Sequence, residues 1–391
     1  MPKARPPVRR PLLPGLGPNP SPPLLDPERH MAELSPRLRA WFAAHGRALP
    51  WRARYTPYEV WISEIMLQQT QMERAVTYFN RWMARLPDVA ALAAAPEEAV
   101  LRLWEGLGYY SRARNLMAAA RRIVAEHGGV FPAALADIRA LPGVGPYTAA
   151  AVASIAFGEP VACVDANVER VLSRLFDVAT PVRREPGAGL IRLRAQALVP
   201  EDHAREHNQA MMELGALVCR KKPLCGACPW AAHCRARHRG TAGERPVREE
   251  ARPVTALTSV AGILEMGGEA GGRILVHRRP ADGVWGGLWE FPGGTVADGE
   301  RPGAALLRVL ESETGLRPRL GDHGGSIMHT RTRFRITLHW RRLALPGDAG
   351  ALPPLLPSLP DDTWRWVSRE ELGRLPMPAP HRRVAALALG D

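Results

Sequence analysis

Four of the chain's five cysteines lie inside one sixteen-residue stretch, CRKKPLCGACPWAAHC at residues 219–234. The spacing C-x5-C-x2-C-x5-C, at Cys219, Cys225, Cys228 and Cys234, is the strongest single constraint on the fold, because it draws four thiols toward one locus. Four thiolates so spaced can wrap a [4Fe–4S] cluster or a tetrahedral zinc ion. Zinc ribbons use two CxxC knuckles set far apart, whereas only one pair here is CxxC, and that compactness favours the cluster. Arg220, Lys221 and Lys222 between the cysteines form a basic loop able to meet phosphate. Cys163 stands apart and reads as a small buried hydrophobe. An odd, clustered set of cysteines suits a reducing cytoplasm better than a disulfide framework.

The formal net charge of +13 over 391 residues points to a polyanionic partner, most simply nucleic acid. The chain has no apolar run of 18 residues, so no membrane span is expected. Residues 1–30 are rich in Pro and Arg, lack the apolar core of a signal peptide, and are expected to form a disordered leader. Residues 31–235 read as helical with Gly- and Pro-marked loops, and 236–253 as a polar linker. From 254 to 391 the pattern changes. VTALTSVAGILEM, GRILVHRR and FRITLHWRRLAL read as strands, and RPGAALLRVLESETG as a helix with a glycine stop. The expected fold is therefore multidomain, an all-α domain followed by a smaller α+β domain.

Several stretches of the helical region carry chemistry. LPGVGPYTAAAV reads as a hairpin between helices, with Gly143 and Gly145 letting the backbone turn and its N–H groups approach a DNA phosphate. Asp165 in VDANVERV reads first as an N-cap, a role that also fixes a carboxylate for other use. Thr56, Pro57 and Glu59 form a capping-box start for the next upstream helix, which carries Glu64 on one face with Trp61 and Gln68. Burial there would raise the pKa of Glu64 and suit it to general-acid work. Gln68, Gln69, Thr70 and Gln71 offer groups for base edges. In GLGYYSRARNL, Tyr109 and Tyr110 are either core residues or an aromatic wedge, with Arg112 and Arg114 as phosphate contacts.

Together, WISEIMLQQTQM, GLGYYSRARNL, LPGVGPYTAAAV, VDANVERV and the cysteine stretch resemble the helix-hairpin-helix DNA glycosylases, specifically the MutY-type adenine DNA glycosylases, closely over about 35–235. The resemblance implies a glycosylase domain with a [4Fe–4S] loop at 219–234. The implied enzyme is a cytoplasmic, nucleoid-associated bacterial monomer acting on double-stranded DNA with adenine opposite 8-oxoguanine or guanine. Relatives with lyase activity carry a nucleophilic Lys after the hairpin; that position is Tyr147, which implies a monofunctional enzyme. The resemblance further implies Glu64 as general acid and Asp165 as stabiliser of the sugar cation, with Tyr147 and Asn167 supporting them. It places Arg47, Trp51, Arg52 and Gln209 around the flipped adenine, and Gln69, Thr70 and Tyr109 in the base stack.

The C-terminal region resembles the Nudix-like module of the same proteins. Gly294, Glu300, Arg308, Glu313 and Gly315 fit a Nudix frame, while Val309 and Ser312 replace metal-binding carboxylates, which argues against pyrophosphate hydrolysis. The implied role is recognition of 8-oxoguanine. Two departures stand out. The first cysteine loop is one residue shorter than usual. The lesion-sensing loop, usually Phe-Ser-His, is matched to Ile327, Met328 and His329, with loss of the Ser hydroxyl. Three other readings remain open: a glycosylase of the same fold with another substrate, a non-enzymatic DNA-binding protein, and a Nudix hydrolase.

Overall fold

The structure is a computed structural model describing residues 24–247, 253–266, 272–280, 285–331, 334–345 and 363–390. Contacts divide the chain into two units, Met1–Arg47 with Phe157–Glu249, and Ala48–Ala156 with Glu250–Asp391. The contact boundary thus falls inside the helical region, at Arg47 and Phe157. No helix among the described residues is long and apolar enough to cross a membrane.

The first unit packs the helices Met31–His45, Ala166–Leu175, Gly187–Leu198 and Ala204–Leu217 around one core that includes Leu34, Leu172, Leu214 and Trp230. Both flanking segments are described in part. Of the leader expected over 1–30, residues 1–23 lie outside the described set, but Leu25 N–H donates to the Ala232 carbonyl and Asp26 pairs with Arg235. Of the linker expected over 236–253, residues 239–245 are tied down, because Asp177 accepts from Thr241 and pairs with Arg239 and Arg245. Burial would raise the Asp177 carboxyl, but these partners outweigh it and hold the group below its ordinary value.

The helical part of the second unit centres on the helix Pro57–Leu67, buried continuously from Tyr58 to Met66. Its start follows the sequence, with Pro57 at the first position and the Thr56 hydroxyl accepting from Glu59 N–H. Around it lie Met72–Met83, Val89–Ala94, Glu97–Trp104, Ser111–His127, Leu135–Ala140 and Pro146–Phe157.

The described remainder of the second unit is a seven-stranded sheet with helices against it: β1 Thr255–Met266, β2 Arg273–Arg278, β3 Trp289–Glu290, β4 Gly293–Thr295, β5 Arg319–Arg331, β6 Phe334–Ala344 and β7 Trp364–Val367. The order is β3-β2-β1-β6-β5, with β4 on β1 and β7 on β2, and among the described residues only the β1–β6 pairing is parallel. Alternation along the strands splits the core. Val260, Leu264 and Leu275 face the helix Pro302–Thr314, while Ala261, Ile263, Ile274 and Val276 face Arg369–Arg374 and Ala379–Leu389. The helix Pro302–Thr314 ends at Gly315 in the left-handed region, as its sequence implies.

Candidate active site

Glu64 sits near the end of the buried Pro57–Leu67 helix and is 6% exposed. The Tyr147 hydroxyl donates to its Oε2 at 2.7 Å. Tyr147 is the second residue of the helix that follows the glycine hairpin, so the hairpin and the carboxyl are joined by one bond across 83 residues. A carboxyl in such surroundings has restricted solvent and a fixed orientation, the two conditions that directed proton delivery needs.

Asp165 caps the helix Ala166–Leu175, its Oδ1 accepting from Val168 N–H at 2.8 Å. The Asn167 amide donates to its Oδ2, also at 2.8 Å. Burial pushes the Asp165 carboxyl up, and those two donors pull it partly back. Asn167 is held in turn by Arg170, whose Nη2 donates to Asn167 Oδ1 and to the Gly215 carbonyl, and whose Nε donates to the Cys219 carbonyl. Arg174 bonds the Cys219 sulfur and the Arg220 and Lys221 carbonyls. A continuous hydrogen-bond chain therefore runs from the cysteine loop to Asp165. Gly215 permits it, since a Cβ there would lie 2.5 Å from Asn167 Cβ. Sequence reasoning missed Arg170, although its place three residues after Asn167 on one helix was a usable signal.

Arg47 is clamped by Glu213, which is 2% exposed at its side chain. Arg47 donates from its backbone N and its Nε to Oε1, and from Nη2 to Oε2, at 2.8–2.9 Å. Glu213 was missed too; it lies one turn after Gln209, itself buried on the same helix. In the second unit Trp51 is buried edge-on against Phe79, and Arg52 is half-buried in the same short turn.

The residues expected at the base stack have an unusual backbone. Gln69 (φ +57°) and Tyr109 (φ +50°) both occupy the left-handed region, at a cost of order 1–2 kcal/mol each for a non-glycine residue. Gln69 is exposed, and Thr70 and Tyr109 are half-exposed. Tyr110 is core: it is 4% exposed and its hydroxyl donates to the Met377 carbonyl. The two adjacent tyrosines thus take one role each. Arg112 corrects an expectation. Its Nη1 donates to the carbonyls of Ile65 and Gln68, and its Nη2 to those of Leu107 and Gly108. Its Nε–H is buried, and burial pushes the guanidinium down to about 10. With every N–H turned inward, the group has none left for phosphate. Arg114 is likewise engaged, with Glu97 and the Gly286 carbonyl.

The two hairpin glycines differ. Gly143 has φ +73°, and a Cβ there would meet Asn115 Cβ at 2.5 Å; a Cβ on Gly145 would meet nothing within 4 Å. Gly143 shapes the turn, and Gly145 leaves open space in front of the following helix start.

All four clustered cysteines are partly buried and free. Burial, reinforced by the charges of the other three thiols, pushes Cys228 up to about 12 and burial likewise lifts Cys234 to about 11. Buried thiols stay protonated unless a cation offsets the cost of ionising them, and four such donors in one loop suit an iron–sulfur core or a zinc ion. Among the described residues no group of three or more His, Cys, Asp or Glu is arranged around a single metal ion.

Beside the sheet, Glu300 and Arg308 of the Nudix frame pair with each other, and the Arg308 bonds hold Glu300 down at about 2. Val309 packs on Gly294, and Ser312 bonds the Val309 carbonyl. Ile327, Met328 and His329 do not form a loop. They pair with Leu338, Thr337 and Ile336 within β5, and the connection to β6 lies at 332–333, outside the described residues. Their alternation explains why: Ile327 is buried in the core while Met328 is 62% exposed. His329 lies against Trp285, ring centroids 5.6 Å apart.

Comparison with known proteins agrees with this arrangement in order along the chain. The family model of the HhH-GPD superfamily base excision DNA repair proteins matches residues 62–186, and that of the NUDIX domain matches residues 266–387. The adenine DNA glycosylase of Homo sapiens is 36% identical over 393 residues, covering 85% of this chain and 70% of that protein. That of Rattus norvegicus is 36% identical over 386 residues, covering 85% and 73%. The structure of a thermostable thymine-DNA glycosylase is 26% identical, with a TM-score of 0.50, and covers 55% of this chain and 100% of that one. A helical glycosylase fold followed by a Nudix-like sheet, with this likeness sustained across both, establishes that the chain belongs to the adenine DNA glycosylase family of base excision repair enzymes.

Proposed function

We propose that this glycosylase hydrolyses the N-glycosidic bond of adenine mispaired with 8-oxoguanine or guanine in double-stranded DNA, without lyase activity. The observation that carries this reading is the bond from the Tyr147 hydroxyl to buried Glu64. Where a lyase relative would need an amine, a phenol orients a carboxyl instead. Glu64 delivers its proton to N7 of the flipped adenine, and the C1′–N9 bond breaks with its electron pair leaving on the base. Asp165, steadied by Asn167, stabilises the sugar cation electrostatically or through a transient bond at C1′. Water then adds to C1′, and its proton restores the Glu64 acid.

In this reading Arg47, held by Glu213, and Gln209 serve adenine recognition, as do Trp51 and Arg52. Gln69, Thr70 and Tyr109 fill the stack, and N–H groups at the Gly143–Gly145 hairpin take a phosphate. Cys219, Cys225, Cys228 and Cys234 would hold a [4Fe–4S] cluster, which when bound supplies the cross-links that close the basic loop. His329 serves the sheet in reading the opposite base. The enzyme works as a monomer.

Single-turnover base release from duplexes with adenine opposite 8-oxoguanine, guanine and thymine tests the proposal. Fast release from the first, slower from the second and none from the third is expected. Equal rates on the first two would remove the lesion-reading role, and release opposite thymine would remove mispair selectivity altogether.

A further inference from the structure

We infer that Arg112 is a positioning residue for base extrusion, through the two strained residues Gln69 and Tyr109. The inference rests on the proposed function and adds a residue to it. Gln69 follows the C-terminal end of the Pro57–Leu67 helix, and Tyr109 closes the loop after Glu97–Trp104. The two are 40 residues apart in sequence, yet one guanidinium holds both backbones. Nη1 bonds Ile65 O and Gln68 O at 2.7 Å each, and Nη2 bonds Leu107 O and Gly108 O at 3.1 Å each. The fork presents one amino group to each carbonyl pair, a geometry that an ammonium group lacks. The cation also meets carbonyls at a helix C-terminus, where positive charge is stabilised. The guanidinium lies 5.1 Å from the Trp104 ring and 5.7 Å from the Tyr109 ring, so its own position is constrained from the sides.

A left-handed non-glycine residue persists only where its surroundings over-determine it. Here the carbonyls immediately preceding Gln69 and Tyr109, those of Gln68 and Gly108, are the atoms Arg112 grips. Without that grip both peptides relax toward ordinary φ values, and two side chains that enter a base stack lose their common alignment.

The test uses Arg112→Ala and Arg112→Lys in the full chain, with thermal melting to confirm folding. Single-turnover adenine release is measured on a duplex with adenine opposite 8-oxoguanine, and on one with adenine opposite an abasic analogue, where there is no partner base to part from. A residue acting on extrusion is expected to slow the first by about tenfold or more and the second by less than about threefold, because an unpaired base costs less to flip. Arg112→Lys is expected to fall between Arg112→Ala and wild type on the paired duplex; it carries the test if Arg112→Ala melts far below the wild type. Equal losses on the two substrates would overturn the inference, as would full activity of either variant on the paired duplex. The wild-type rate on the paired duplex reports on the proposed function itself; the ratio of the two substrates in the variants reports on Arg112 alone.

Discussion

The hairpin glycines allow a paired experiment in which stability and DNA binding should separate. Replacing Gly143 with Ala forces a side chain onto a left-handed backbone, φ +73°, costing about 1–2 kcal/mol. The new Cβ would lie 2.5 Å from Asn115 Cβ. That atom is fixed to the helix Ser111–His127 and cannot swing aside, so the loop or helix must shift, adding about 1–3 kcal/mol. The expected loss for Gly143→Ala is therefore about 2–5 kcal/mol. Gly145→Ala meets nothing within 4 Å and is expected to stay within about 0.5 kcal/mol of the parent. Its methyl nevertheless occupies the open space where a phosphate would approach the backbone, so duplex affinity should fall while stability holds. Urea unfolding followed by tryptophan fluorescence gives the first quantity, and anisotropy with a labelled duplex gives the second. A neutral Gly143→Ala would refute the steric argument. Unchanged affinity in Gly145→Ala would refute the hairpin's place at the phosphate.

Other expectations follow from single bonds. Glu64→Gln can still accept the Tyr147 hydroxyl bond, so duplex binding should persist while base release falls by about 10²–10⁴-fold; release at the parent rate would exclude Glu64 as the acid. Asn167→Ala removes a bond that lowers the Asp165 pKa, so that carboxyl protonates at higher pH and the acid limb of the pH–rate profile should move upward; a downward shift would contradict the geometry. Asp177 is held below its ordinary value of 3.8, so its contribution to stability is present above that value and is lost as pH falls through the lower folded value. Asp177→Asn should remove the contribution at neutral pH and expose Arg239 and Arg245 to trypsin; unchanged proteolysis would show that the 239–245 segment is held by something else.

Much of the local structure was legible in the residues. The Thr56–Pro57 helix start, the Asp165 cap, the Gly315 stop and the strands at 255–266, 273–278 and 334–344 all depend on neighbours a few positions away. The strands at 319–331 and 364–367 carried weaker patterns, the first broken by glycines at 321, 324 and 325. Motif matching puts Ile327, Met328 and His329 in a loop because it reports order along the chain and is blind to pairing register. Register decides that Ile327 points into the core and Met328 outward.

By itself the sequence determined the order of the two folds and the basic charge, written in its periodicity and composition, and its motifs carried the resemblance to the family. Only the tertiary structure decided what the arginines do. Arg47 finds Glu213 across 166 residues, Arg170 links Asn167 to the cysteine loop, and Arg112 turns inward to grip four carbonyls. A guanidinium is equally suited to phosphate, carboxylate or backbone oxygen. Which of them it meets depends on the acceptors that folding brings within 3 Å, and no stretch of neighbouring residues contains that information.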